Sequence, residues 1–412
     1  MQELHISDAY VIIVAILVLG LGNAVTKRVP FLQKYSIPMA VTGGLICSVA
    51  ILIIGKAGGP KISFDLEIRD VLLIAFFSTI GLSAKFSRLA AGGKALAILT
   101  ACAATFLFIQ NGTGVLLASL LGAHPGLGLF AGSISLAGGH GTAIAWGQEA
   151  AKAGIADAEL VGIAFATFGL VAGGIIGGPI SEFLIKKNKL APTDTPIEGG
   201  SADRTEEPSE KLEPVTLERA LSVLFILAVC VAFGEVVNQF LFERDFRVPG
   251  FLTAMLVGIF ITNISDKLNR PIRVPDFDKT GTVCLQLFLA MSLMSMDLSS
   301  LAGAFGFIFV VLCVQILVLT LFAVFIIFRL MGKDYDAAVI VGGFCGLGMG
   351  ATPVAIANMS AITKKYAPSF KAFLVVPLVG AFFIDILNAL IIKFFLDLPI
   401  MQPAAEAAMT TL

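Results

Sequence analysis

GSISLAGGHGTAIA, from Gly132 to Ala145, and GGFCGLGMGATPVA, from Gly342 to Ala355, decide how this chain is read. Laid over each other without a gap, they match at Gly132/Gly342, Gly138/Gly348, Thr142/Thr352 and Ala145/Ala355, an offset of 210. Both cassettes lie between long apolar segments. Glycine-rich backbone cannot face lipid, because its amides would go unpaired, so it must line a protein-walled or watery cavity. A duplicated pair of such segments points to the substrate site of a transporter.

The surrounding sequence is that of a polytopic membrane protein. Of 412 residues, 57% are hydrophobic and 14% charged, with mean hydropathy +0.93; soluble domains carry about 25% charged residues. The six cysteines fall in apolar or glycine-rich stretches without metal-ligand spacing and read as reduced packing thiols. Three histidines are too few for a multi-histidine metal centre. No basic patch is interleaved with aromatics, which argues against a nucleic-acid partner. The N-terminus lacks a basic signal-peptide region, so the first apolar run, 9–25, is expected to stay as a membrane helix.

A span needs about 20 apolar residues. Ten candidates are expected: 8–25, 38–55, 69–84, 95–122, 158–186, 218–241, 249–265, 280–297, 303–330 and 371–397. The apolar but Gly-, Ser- and Thr-rich segments 127–150 and 336–358 are expected to be re-entrant hairpins. The fold class is thus an all-α polytopic membrane protein of two inverted-topology repeats, each with five spans and one hairpin. The repeats cover 1–187 and 218–400, joined by a polar, Pro- and Glu-rich linker at 188–217 and followed by a tail at 401–412. Two further gapless matches extend the duplication. Phe76–Ala90 aligns on Phe288–Ala302, and Ile37-Pro38 on Val248-Pro249. Five is an odd number of spans, which makes the second repeat antiparallel to the first.

With ten spans and two hairpins, 21 of the 28 Lys and Arg residues collect on one side, which the positive-inside rule makes cytoplasmic. Both termini and the first hairpin then face the periplasm. The linker and the second hairpin face the cytoplasm.

The first cassette offers hydroxyls at Ser133, Ser135 and Thr142, the His140 imidazole, and backbone at Gly138, Gly139 and Gly141. The second offers Gly346, Gly348, Gly350 and Thr352, with Asn358 beyond. Small residues let backbone approach a ligand, helix N-termini attract carboxylates, and unwound carbonyls suit Na⁺. The alternative for such segments is close helix packing. His140 could donate a hydrogen bond, carry charge or a proton, or be purely structural. Asp385 and Asn388, at i and i+3 in FFIDILNAL, share a helix face. An acid deep in a span is by default functional. Na⁺ coordination by Asp385, Asn388 and hairpin carbonyls is the expectation, and an interhelical clamp the alternative. Gln110 with Asn111, and Ser78 with Thr79, are secondary candidates for which packing is favoured.

The chain strongly resembles the bacterial sodium/glutamate symporters of the glutamate:Na⁺ symporter family. SISLAGGHGTAIAW (133–146), ATFGLVAGGIIGGP (166–179), MGKDYDAA (331–338), GLGMGATPVAIANM (346–359) and FLVVPLVGAFFIDILNALIIK (373–393) carry the resemblance. It implies Na⁺-coupled uptake of L-glutamate across the inner membrane, with no other cofactor. It also implies two re-entrant loops shaping the site, elevator-type alternating access and a homodimer. A citrate-type symporter is the near alternative, which the scarcity of intramembrane arginines disfavours. A channel fits less well, because the two cassettes differ. An intramembrane aspartyl protease is disfavoured because Met349 stands where its second aspartate should be.

Overall fold

The computed structural model describes residues 3–7, 9–34, 37–85, 93–155, 157–191, 216–244, 248–270, 272–296 and 301–401. Most of the linker and of the C-terminal tail lie outside the described residues, as do positions 86–90 and 297–300 of the Phe76–Ala90 and Phe288–Ala302 alignment.

The first half contributes α1 (Ala9–Arg28), α2 (Met39–Lys56), α3 (Glu67–Ser83) and α4 (Gly93–Leu120). The first cassette region follows as three short helices, α5 (Pro125–Phe130), α6 (Ser133–Leu136) and α7 (Gly139–Lys152), and α8 (Ala158–Lys187) ends the half. The second half contributes α9 (Leu217–Phe242), α10 (Gly250–Lys267), α11 (Val274–Met294) and α12 (Leu301–Phe322). α12 runs on through a π-helical turn to Leu330. α13 (Tyr335–Met349) and α14 (Thr352–Lys365) hold the second cassette. α15 (Phe370–Leu378) and α16 (Ile384–Leu396) are joined by a π-helical turn.

Six of the described helices are long and apolar enough to cross a membrane, and the pair α15–α16, bent by 46°, would make a seventh. α3, α10 and α11 occupy the other three expected positions. They are shorter or more polar, with Glu67, Arg69 and Asp70 opening α3, Asp266 and Lys267 closing α10, and Asp276 and Asp278 in α11. The expectation of an all-helical chain needs one small correction. Strands β1 (Glu3–Ile6) and β2 (Lys61–Phe64) pair in parallel, and His5 Nδ1 lies 3.0 Å from Ser63 Oγ. Alternating residues in two short polar-ended segments permit this pairing, but four residues give too little periodicity to read from sequence.

Packing divides the helices into two groups. α1 packs with α2, both pack with α11, and α3 packs with α9, α10 and α11. α4 to α8 pack with α12 to α16. Glycines set the first group's spacing: a Cβ on Gly81 would lie 2.1 Å from the Met255 carbonyl, and one on Gly258 2.9 Å from that of Ser78. Such small-residue contacts let backbones approach where apolar burial cannot drive association. Between the groups the contacts are sparse, with α7 against α11 the main one.

In the second group α13 runs between α8, α14 and α15 and is buried along nearly its whole length. Its base is pinned by polar contacts. Asp334 accepts the Ala337 amide at 2.7 Å, Ser369 Oγ donates to Asp336 at 2.6 Å, and the Tyr335 hydroxyl donates to the Ala367 carbonyl. The Asp334 bond, and Ser369 Oγ accepting the Ala372 amide at 3.4 Å, each satisfy an orphan amide at a helix N-terminus.

Candidate functional site

Each cassette is a broken helix. In the first, α6 ends at Leu136 and α7 starts at Gly139, whose φ of +71° is left-handed and favours glycine. In the second, α13 ends at Met349, Gly350 leaves the helical region at φ −154° and ψ −96°, Ala351 is extended, and α14 starts at Thr352 with Pro353 in its first turn. The two breaks face each other: a Cβ built on Gly139 would lie 3.9 Å from the Gly350 carbonyl.

Between them is a cavity of about 340 Å³. Gly138, Gly139, His140, Gly141 and Thr142 line it from the first cassette, Gly350 and Thr352 from the second, and Asp385 from the start of α16. The other helix group supplies part of its wall, through Phe76 and Ile80 of α3 and Leu285 and Leu289 of α11. The cavity therefore lies where the two groups meet.

Asp385 meets no hydrogen-bond donor or cation among the described residues. The side chain is half-buried in the cavity wall, which leaves its oxygen pair open to a bound cation. His140 Nε2 lies 2.9 Å from Thr167 Oγ1, and the single hydroxyl proton of Thr167 is directed at the Ile163 carbonyl at 2.9 Å. The hydroxyl must therefore accept from His140, which puts a proton on Nε2 and leaves Nδ1 of the neutral ring as an acceptor.

Behind the first break is a buried polar node. Ser133 Oγ donates to Asn388 Oδ1 at 2.5 Å, and Asn388 Nδ2 donates to the Ser133 carbonyl at 3.0 Å. Asn111 Oδ1 accepts the Ser133 amide at 2.8 Å. A Cβ on Gly138 would come within 2.8 Å of Asn388 Nδ2 and 2.7 Å of the Ile134 carbonyl. Asn388 thus holds the cassette from behind, while Asp385, one turn earlier, reaches the cavity. Ser135 is fully buried, and its hydroxyl has no partner among the described residues.

The remaining sequence candidates do not line the cavity. Gly346 packs against the returning helix, where a Cβ would lie 2.6 Å from the Ala355 amide. Asn358 Nδ2 donates to the carbonyls of Gly173 at 2.9 Å and Gly342 at 3.1 Å, tying α14 to α8 and α13. Ser78 and Thr79 satisfy their hydroxyls on their own helix, at the Ile74 and Phe76 carbonyls. Gln110 Nε2 donates to the Gly348 carbonyl at 2.9 Å, beside the second break.

Its counterpart, Gln315 on α12, was not singled out by sequence. Gln315 Nε2 donates to the carbonyls of Ala131, at 3.0 Å beside the first cassette, and of Gln110, at 2.9 Å. The two glutamines cross over, each half of the chain supplying the donor for a break in the other. A glutamine in the apolar run LCVQILVL was the available signal.

A sequence profile of the family described as Sodium/glutamate symporter matches residues 4–368. The chain belongs to the sodium/glutamate symporter family. The sodium/glutamate symporter of Escherichia coli (strain K12) is 42% identical over 408 residues, which cover 96% of this chain and 99% of that protein. The protein of the same name from Haemophilus influenzae is 41% identical over 387 residues, 92% of this chain and 94% of the relative. This symporter family is one of transporters rather than enzymes. Both cassettes lie within the matched residues, and Asp385 and Asn388 lie beyond them.

Proposed function

We propose that this chain is a Na⁺-coupled secondary transporter that takes up L-glutamate across the bacterial inner membrane. The observation that carries the reading is the cavity at which both glycine-rich breaks and the unpartnered Asp385 converge, in a chain 42% identical to a sodium/glutamate symporter. Glutamate is bound by the backbone and hydroxyls of Gly138–Thr142 and by Thr352, with His140 fixed by Thr167. Na⁺ is bound by Asp385 with carbonyls of the breaks, and Asn388 and Ser133 hold that geometry. A cation next to a carboxylate-bearing substrate neutralises charge in a site that has no lysine or arginine in its lining.

The halves are inverted repeats with re-entrant hairpins at 127–150 and 336–358. The 210-residue offset and the pairing of α1–α3 with α9–α11 support this. The sparse contacts between the two helix groups support an elevator-type motion, in which the group containing the hairpins slides against the group containing α1 and α9. The charge asymmetry supports periplasmic termini and a cytoplasmic linker. The assembly is a homodimer, as the resemblance implies.

The test is uptake of labelled L-glutamate into liposomes holding the purified chain. An inward Na⁺ gradient is expected to drive accumulation, and K⁺ in its place or a pH gradient alone is not. Accumulation independent of Na⁺ would sink the reading.

A further inference from the structure

Arg69 opens a second cavity. Its volume is about 500 Å³, and it lies between Arg69 of α3, Ser292 and Ser295 of α11, and Gly147, Asp157 and Glu159. The two cavities share three walls. On α3 the wall passes from Phe76 at the site to Arg69, on α11 from Leu289 to Ser292, and on α7 from Thr142 to Gly147. Those steps of seven, three and five residues correspond to ~10, ~5 and ~8 Å along a helix. The second cavity therefore continues the same cleft between the two helix groups, toward the end at which α3 and α8 begin.

Its chemistry differs from that of the first. Arg69 is the only lysine or arginine among the residues lining either cavity. Its Nε is held at 2.9 Å by Asp70 Oδ1, which Gln148 of α7 also reaches at 3.2 Å from across the cleft. The Arg69 side chain is only 12% exposed. Ser292 is 1% exposed, and its hydroxyl has no hydrogen-bond partner among the described residues. Asp157 and Glu159 bring carboxylates to the same space. A cation and a free hydroxyl on one wall, with carboxylates on the other, complement a molecule that carries both charges.

We infer that this outer cavity is a capture site for anionic α-amino acids, occupied before the substrate reaches the inner cavity. Arg69 and Ser292 take a carboxylate, and Glu159 with Asp157 takes the ammonium group. The site rests on the reading of the chain as a glutamate transporter and adds an entry step to it. A guanidinium holds a carboxylate through charge-assisted bonds. A dicarboxylate without an amine leaves the acidic wall unpaired, so the cavity also selects for amino acids.

The experiment measures external L-glutamate uptake by the reconstituted chain at a fixed Na⁺ gradient, with choline chloride added to vary ionic strength. Arg69→Gln is expected to raise KM about tenfold, the loss of one charge-assisted contact, with kcat changed less than about twofold. Uptake by the unaltered chain at low substrate is expected to slow as choline chloride rises, and that of Arg69→Gln to respond far less. Arg69→Lys should retain most of the salt response, which a purely structural arginine would not predict. If Arg69→Gln fails to insert, Ser292→Ala decides instead, with KM raised about threefold. An unchanged KM in either variant, or a salt response in Arg69→Gln equal to that of the unaltered chain, overturns the capture site. Absence of Na⁺-driven uptake by the unaltered chain overturns the proposed function itself, so the two failures are distinguishable.

Discussion

The two cassettes begin as near copies and end as different instruments. The first is broken twice, at Ala131–Gly132 and at Ala137–Gly138, and brings side-chain chemistry: Ser133, Ser135, His140 and Thr142. Residues from distant helices hold it, namely Asn111, Thr167, Gln315 and Asn388. The second is broken once and is almost all backbone and apolar packing, with Gly346 against Ala355 and Asn358 spanning α8 and α13. Duplication supplies two openings, and divergence makes one of them chemically specific. An asymmetric substrate with a co-bound cation requires that inequality.

The sharpest way to break this contrast is to fill the first opening. Gly138→Val puts carbon into the Ile134 carbonyl and Asn388, neither of which is the loose end of a flexible side chain. Overpacking of this kind costs up to ~3 kcal/mol. Uptake should fall about a hundredfold, while Gly178→Ala, whose Cβ would meet nothing within 4 Å, should stay near the unaltered rate. Equal losses in both would mean that the tight fit at Gly138 does not govern transport. A smaller effect is expected at the acid. Asp385→Asn should raise the Na⁺ concentration for half-maximal uptake about tenfold, with KM for glutamate following at low Na⁺. An unaltered Na⁺ requirement would return the carboxylate to a structural role. The smallest effect belongs to the helix that only walls the site. Ser78→Ala removes a bond to its own helix and should change uptake by less than about twofold, measured in the same liposomes.

Much of this was legible because it is local. Glycine density, apolar run length and an acid inside a span are properties of short windows, and they marked both breaks and Asp385. Asn388 was also marked, but its partner was not: Ser133 is 255 residues away, and nothing in FFIDILNAL names it. Gln315 escaped for the same reason, being one amide in a strongly apolar helix. Arg69 falls among the Lys and Arg residues outside the 21 on the cytoplasmic side, and a charge near a helix start reads as solvated until the fold shows a cavity beside it. Ser78 and Thr79, for which packing is the favoured reading, bond their own helix; both roles stay open in sequence because a hydroxyl that does so is indistinguishable there from one that binds a ligand.

The crossed glutamines bear on the order in which the chain is made. When the first half has left the ribosome, the carbonyl of Ala131 has no Gln315 and the Ser133 hydroxyl has no Asn388. The first cassette is then an unfinished object in the bilayer, and it is closed only when α12, with Gln315, and α16, with Asn388, arrive. Biosynthesis thus delays completion of the site until the whole chain is present, and a product truncated after the first half would hold the first break without Gln315 and Asn388, and Gln110 without the Gly348 carbonyl it meets.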